Sequence, residues 1–212
     1  MKFSNIIKKV TKTVRSKAFI ATALIAACTG FGYGAVQAEF YPDRRPFDYN
    51  VACDPNDDNI YDRCGSLTGP VFNSFINTPS YGDERAFADA RRSDQTASGS
   101  YRNVLDSVTE GSQEVVIRTY VHNNANTSLN ESGAGIATGT TVRIDLPEAT
   151  DNVLRARSYI NADNAALVED TVDLRGLTDF SVEYIPGSAR IYNNGPMSGG
   201  VQLSDSIGTT GA

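Results

Sequence analysis

The chain has 212 residues, 19 basic and 25 acidic side chains, a net charge of −6 and no tryptophan. That length suits one domain with flanking segments, and the acidic balance excludes binding to nucleic acid or anionic lipid through bulk charge. Every lysine lies within the first 38 residues; beyond them 13 arginines face 25 carboxylates, a net charge of −12, so lysine Schiff-base chemistry and lysine–asparagine cross-links have no amine there.

Lys2, Lys8, Lys9, Lys12, Arg15 and Lys17 precede an apolar run over residues 18–27, and Val36 and Ala38 place small side chains at the −3 and −1 positions of a cleavage site. This is the layout of a secretory signal peptide over residues 1–38, and it predicts a secreted or cell-surface protein beginning at Glu39. Two other readings stay open. Leu24-Ile25-Ala26-Ala27-Cys28 resembles a lipobox, in which Cys28 would carry a diacylglyceryl anchor. An uncleaved anchor is the other, against which count the short apolar run and Thr22, Thr29 and the glycines near its end.

Residues 39–70 are polar and proline-bearing, without sustained periodicity, and read as an irregular leader. If Cys28 leaves with the signal, Cys53 and Cys64 remain as a pair that an oxidising compartment favours joining; two free thiols are the alternative, and no C-x₂-C zinc pattern is present. Inside that loop Asp54, Asn56 and Asp58 alternate, with Asp62 further on, an array of oxygen ligands that suits a hard cation such as calcium. The match to the helix-loop-helix calcium pattern is partial, because Asn59 stands where the turn glycine belongs, Gly65 replaces the bidentate glutamate, and no helix flanks the loop. An acidic solvated turn competes with it, and no other cofactor is indicated.

From residue 71 the pattern is β. Residues 71–76 read as a strand followed by turn chemistry at 77–82, and 83–92 as a short helix or an extended segment. Residues 114–123 are dense in β-branched and aromatic side chains, and 141–147 alternate so that Val142, Ile144 and Leu146 share one face until Pro147 ends the strand. Further strands are expected at 153–160, 167–174, 180–185 and 189–192. The sequence beyond them, 195–212, is expected to be a flexible tail with a short strand near 201–203. Short strands separated by turn residues predict an all-β, antiparallel sandwich over residues 71–194.

Two pairs of stretches look familiar: Val71-Phe72-Asn73-Ser74-Phe75 with Tyr81-Gly82-Asp83-Glu84-Arg85-Ala86-Phe87, and Tyr120-Val121-His122-Asn123-Asn124-Ala125 with Tyr184-Ile185-Pro186-Gly187-Ser188-Ala189. Together they resemble a secreted surface-protein domain of small-genome, candidate-phylum bacteria, similar in style to the conserved-repeat modules of bacterial envelopes, over residues 71–194. The resemblance implies an Ig-like β-sandwich used as an envelope or adhesive building block, with no catalytic residues to carry over. It also implies a chain that continues past residue 212, where a wall or membrane anchor would follow.

Enzymatic readings find little support. His122 is the only histidine, and at the end of a predicted strand it reads as a turn residue bonded to Asn123-Asn124 rather than as the base of a nucleophilic triad. Carboxylates are plentiful, but glycoside hydrolysis needs two at a defined separation in an aromatic-walled cleft. Tyr81, Tyr101, Tyr120, Tyr159, Tyr184 and Tyr192 suit strand packing, with a minority free to form a binding face. The polar loop over residues 123–139 is long and soft, the kind of segment where recognition resides. The expected function is therefore that of a non-catalytic cell-envelope or surface protein, structural or adhesive, with envelope components, surface proteins or glycans as partners. A calcium- or ligand-binding module of a larger secreted assembly is the alternative.

Overall fold

The computed structural model describes residues 46–54, 62–97, 99–108 and 113–212, together with the backbone of a strand at Lys2–Ile7. The chain is all-β. In order the strands are β1 (Lys2–Ile7), β2 (Phe47–Asp48), β3 (Phe75–Ile76), β4 (Ala88–Arg92), β5 (Val104–Val108), β6 (Val115–Tyr120), β7 (Thr141–Asp145), β8 (Asp151–Ala162), β9 (Ala165–Phe180), β10 (Tyr184–Tyr192) and β11 (Val201–Gln202). Five of them form a sheet in the order β11-β10-β1-β6-β4, four form another in the order β5-β9-β8-β7, and β2 and β3 pair separately. Helix among the described residues is limited to two 3₁₀ turns, Thr127–Leu129 and Asp205–Gly208.

Alternation builds the four-stranded sheet. In β7 Val142 and Ile144 are buried between half-exposed neighbours, and in β8 every second residue from Leu154 to Ala162 is buried. β6 instead is buried at Val115, Val116 and Ile117 in succession, as a strand covered on both faces should be. Side chains of both large sheets share the core. Val115 and Ile117 pack with Leu154, Ala156, Val172 and Leu174 in one cluster; Phe87, Ala189 and Ile191 pack with Val142, Ile160 and Val168 in the other. Each such Val, Leu, Ile or Phe side chain contributes roughly 1.5–3 kcal/mol through burial. Two buried polar ties cross between the sheets: the Asp170 carboxylate accepts the Ala88 N–H at 2.7 Å, and the Thr119 and Ser158 hydroxyls lie 3.0 Å apart.

Several expectations change. Asn73 takes a left-handed backbone (φ 46°), which breaks the strand expected over residues 71–76 and leaves only Phe75–Ile76. The undecided segment 83–92 resolves into β4. The two strands expected at 167–174 and 180–185 are not separate: β9 runs through Gly176 to Phe180. A Cβ at Gly176 would lie 2.8 Å from the Thr178 carbonyl and 3.0 Å from that of Val108, so the glycine marks a close approach of β5 rather than a turn. β5 itself was not anticipated. It joins β9 in parallel, and β2 joins β3 in parallel, so the fold is antiparallel only in the main.

The two flanks belong to the body of the molecule. Phe47, Cys64 and Ser66 of the leader are buried. The expected flexible tail is packed: Ile207 is 2 % exposed within the second core cluster, and Val142 and Ala212 exchange two backbone hydrogen bonds at 2.9 and 3.0 Å. Turn-rich composition misleads here because Ser204 caps a 3₁₀ turn that presents one apolar side chain inward.

Candidate functional site

The densest polar cluster lies where the leader meets the end of β6. Asn73 starts it: its side-chain amide donates to the Tyr120 carbonyl and its Oδ1 accepts the His122 N–H, both at 2.6 Å. This brace holds residues 120–124 extended beyond the strand. The His122 imidazole then meets Glu84, whose side chain has no solvent exposure, with Nδ1 at 2.9 and 3.1 Å from the two carboxylate oxygens. Glu84 also accepts from the Thr78 hydroxyl and from the Asn124 amide, each at 3.0 Å. Three donors converge on one buried carboxylate, which is how a protein offsets the desolvation of that charge.

Nδ1 of His122 faces the Glu84 carboxylate, with the donor role set by the tautomer, on a side chain 41 % exposed. An imidazole oriented by a carboxylate is one half of a general-base arrangement, but Nε2 has no hydrogen-bond partner among the described residues. Thr78 donates into Glu84 itself, and the Ser74 hydroxyl donates to the Phe72 carbonyl at 2.9 Å. These contacts tie residues 73–84 to the end of β6 and the residues just beyond it. Sequence reasoning matched His122 with its neighbours, and Asn124 does lie 3.0 Å from Nδ1, but the principal partner is Glu84, 38 residues away. Nothing local in the sequence marks a pairing over that distance.

The cysteine loop rests on the same platform. Cys53 and Cys64 form a disulfide with Cα atoms 4.7 Å apart. The Asn126 amide donates to the Cys64 carbonyl at 2.8 Å, and Ser66 and Asn124 share a backbone bond of the same length. Gly65, at φ 73°, lets the leader lie against Asn124: a Cβ there would sit 2.2 Å from the Asn124 carbonyl oxygen. Disulfide, glycine and asparagine therefore form one continuous chain of contacts to Glu84.

Of the four proposed calcium ligands, Asn56 and Asp58 lie outside the described residues. Asp54 and Asp62 come together, but through the Asp54 backbone: its N–H donates to Asp62 Oδ2, and the Cys64 N–H donates to Oδ1, both at 2.7 Å. Asp62 lies beside the two sulfurs, which are spent in the disulfide, and its own oxygens each hold a backbone N–H. It works as the internal acceptor that closes the loop. Millimolar calcium and excess chelator are accordingly expected to leave the melting midpoint unchanged; a midpoint that climbs with calcium would assign the loop to the cation instead.

Tyrosines line the approach to this cluster. The Tyr81 and Tyr120 rings stack with centroids 4.2 Å apart, and the Tyr81 hydroxyl donates to the Ala86 carbonyl at 3.0 Å. Burial chiefly, with the Glu84 charge adding and Arg118 opposing, pushes the Tyr120 phenol from 10.0 up to about 12. Burial followed by the Asp89 charge raises Tyr81 further. In the unfolded chain both ionise near pH 10, so above that pH the unfolded state releases protons the folded state keeps, and stability falls as pH rises towards 12. Tyr120→Phe is expected to flatten that fall, as read from urea midpoints across the range, and to remove one late step from the phenolate absorbance titration.

Elsewhere several arginines pair across strands. Arg118 forms a two-pronged pair with Asp89 while lying over Tyr101, with its guanidinium carbon 4.1 Å from the ring centroid; Arg155 meets Asp173 at 2.8 Å. A shallow groove beside β7 is lined by Thr141, Arg143, Tyr159, Asn161, Leu167 and Thr210, with Arg143 over the Tyr159 ring at 4.4 Å. The loop over residues 123–139 is less soft than its composition suggests. Asn123 donates to the Gly135 carbonyl at 2.7 Å, and Asn164 brackets the loop at Ile136 and Thr138 at 2.9 Å each. No family model, curated protein or solved structure matches the chain.

Proposed function

We propose that this chain is an exported, non-catalytic cell-envelope or surface protein, with an Ig-like β-sandwich in a structural or adhesive role. The observation that supports this reading best is the Cys53–Cys64 disulfide and its continuity with the Glu84 platform. A bond of this kind persists in oxidising compartments, outside the reducing cytosol, and here it fastens the leader that follows the signal-like segment. The side chains best suited to chemistry, His122 and Glu84, are committed to holding that junction. Recognition then falls to exposed surfaces, of which the arginine- and tyrosine-lined groove beside β7 suits a glycan or a polar protein surface.

Intact mass and surface labelling of protein recovered from its native host test this reading. The expected species begins at Glu39, resists thiol alkylation until reduced, and is labelled on intact cells. A species beginning at a lipid-modified Cys28 would make the protein membrane-tethered. One retaining Met1 with alkylatable thiols inside the cell would overturn export.

A further inference from the structure

The five-stranded sheet has an unusual centre. β6 and β10 form no ladder with one another; β1 runs between them, antiparallel to both. Lys2–Ile7 stands opposite Val115–Tyr120 in unbroken register on one side, and opposite Tyr184 and Ala189–Tyr192 on the other. Yet residues 2–7 belong to the segment whose lysines, apolar run and small residues at 36 and 38 mark it for removal.

We propose that removal of residues 1–38 opens a strand-accepting groove between β6 and β10, and that an extended strand of a partner polypeptide fills it in the mature protein. The inference rests on the export reading above. Without an occupant, the facing N–H and C=O groups of two strands lose their partners, and Ile117 and Ala189, both fully buried, lose the strand between them. Addition of a strand from another chain restores both ladders at once.

Within residues 39–212 the segments outside the described strands are poor occupants by sequence, and the same segments of a second copy are equally poor. Residues 39–45 include Pro42, residues 55–61 begin with Pro55 inside the disulfide loop, and residues 109–112 are too few. The register defines what a partner should carry. Directly opposed residues of antiparallel strands share a face, so positions 3, 5 and 7 fall on the face of Ile117, Ala189 and Ile191. Position 5 is the register partner of both Ile117 and Ala189. Position 4 falls opposite Arg190 and opposite Arg118, whose guanidinium already pairs with Asp89, so a carboxylate there answers to Arg190. The fitting partner is therefore a proline-free strand with apolar residues at alternate positions and a carboxylate between two of them.

The test uses the full chain with a specific protease site introduced after Ala38, folded and then cut. The probes are a labelled peptide of residues 1–10, its Ser4→Asp/Asn5→Val version and a scrambled control. The doubly substituted peptide is expected to displace the 1–38 fragment and to bind at least about tenfold more tightly than the parent peptide, with Arg190→Gln removing the advantage of the aspartate. If the cut chain unfolds when the fragment leaves, recovery of cooperative melting with the matched peptide and not the scrambled one supports the groove. Equal behaviour of all three peptides, or a cut chain that keeps its transition and binds none, overturns it. A host-derived mass that retains residues 1–38 would instead overturn the export reading, leaving the groove permanently filled.

Discussion

Glu84→Ala is expected to lower the unfolding free energy by about 4 kcal/mol, as measured by urea denaturation. The loss has two sources. The Asn124 amide, at 1 % exposure, and the Thr78 hydroxyl lose their acceptor, and a cavity opens beneath the leader. Glu84→Gln keeps the shape and an acceptor oxygen, and its amide can donate to a neutral His122, so its cost should be nearer 1 kcal/mol. His122→Ala should fall between them, because it exposes a partly solvated site yet removes one of the three contacts on the fully buried Glu84 carboxylate. A Glu84→Ala protein as stable as the parent would show that the junction does not depend on the carboxylate. The ordering of the three variants shows how much of the junction rests on the carboxylate and how much on the imidazole.

Asp170→Ala should be of similar size, about 4 kcal/mol, because it strands a buried N–H and removes a buried hydrogen-bond acceptor that spans both sheets. Its two carboxylate oxygens take the N–H groups of Ala88 and Thr171 at 2.7 and 2.8 Å. Asp170→Asn keeps one acceptor oxygen and turns the other into a donor, so it should fall between the parent and alanine. Hydrogen exchange supplies the specific readout: the Ala88 amide should lose protection beyond what the global change in stability explains. Uniform loss across β4 and β9 would mean that Asp170 acts through the core alone.

Local pattern carried a good part of this fold. The alternation in residues 141–145 gave β7 its inward face, the β-branched run at 115–120 gave β6, and the Cys53–Cys64 pairing followed from compartment and parity. What stayed hidden was non-local. Gly176 reads as a strand break unless the approach of β5 is known, and the left-handed Asn73 reads as strand unless its bonds to residues 120 and 122 are known. The role of Glu84 depends on donors from positions 78, 122 and 124 meeting at one point, which no periodicity encodes. Asp62, set beyond the alternating Asp54, Asn56 and Asp58 as an oxygen ligand, accepts the Asp54 and Cys64 N–H groups, contacts that no alternation encodes.

The strand order also dictates a sequence of events in time. β7, β8 and β9 follow one another along the chain and pair as neighbours, so this meander closes through short loops. β4, β6 and β10 come from remote parts of the chain, and β5 must find β9 some 69 residues later in parallel register. Loop-closure entropy therefore lets the meander form first and makes the five-stranded sheet wait for it, which places folding in the slow range of millisecond to second kinetics. Pulse-labelled amides of β8 and β9 should become protected before those of β6; simultaneous protection would point instead to a nucleus that spans both sheets.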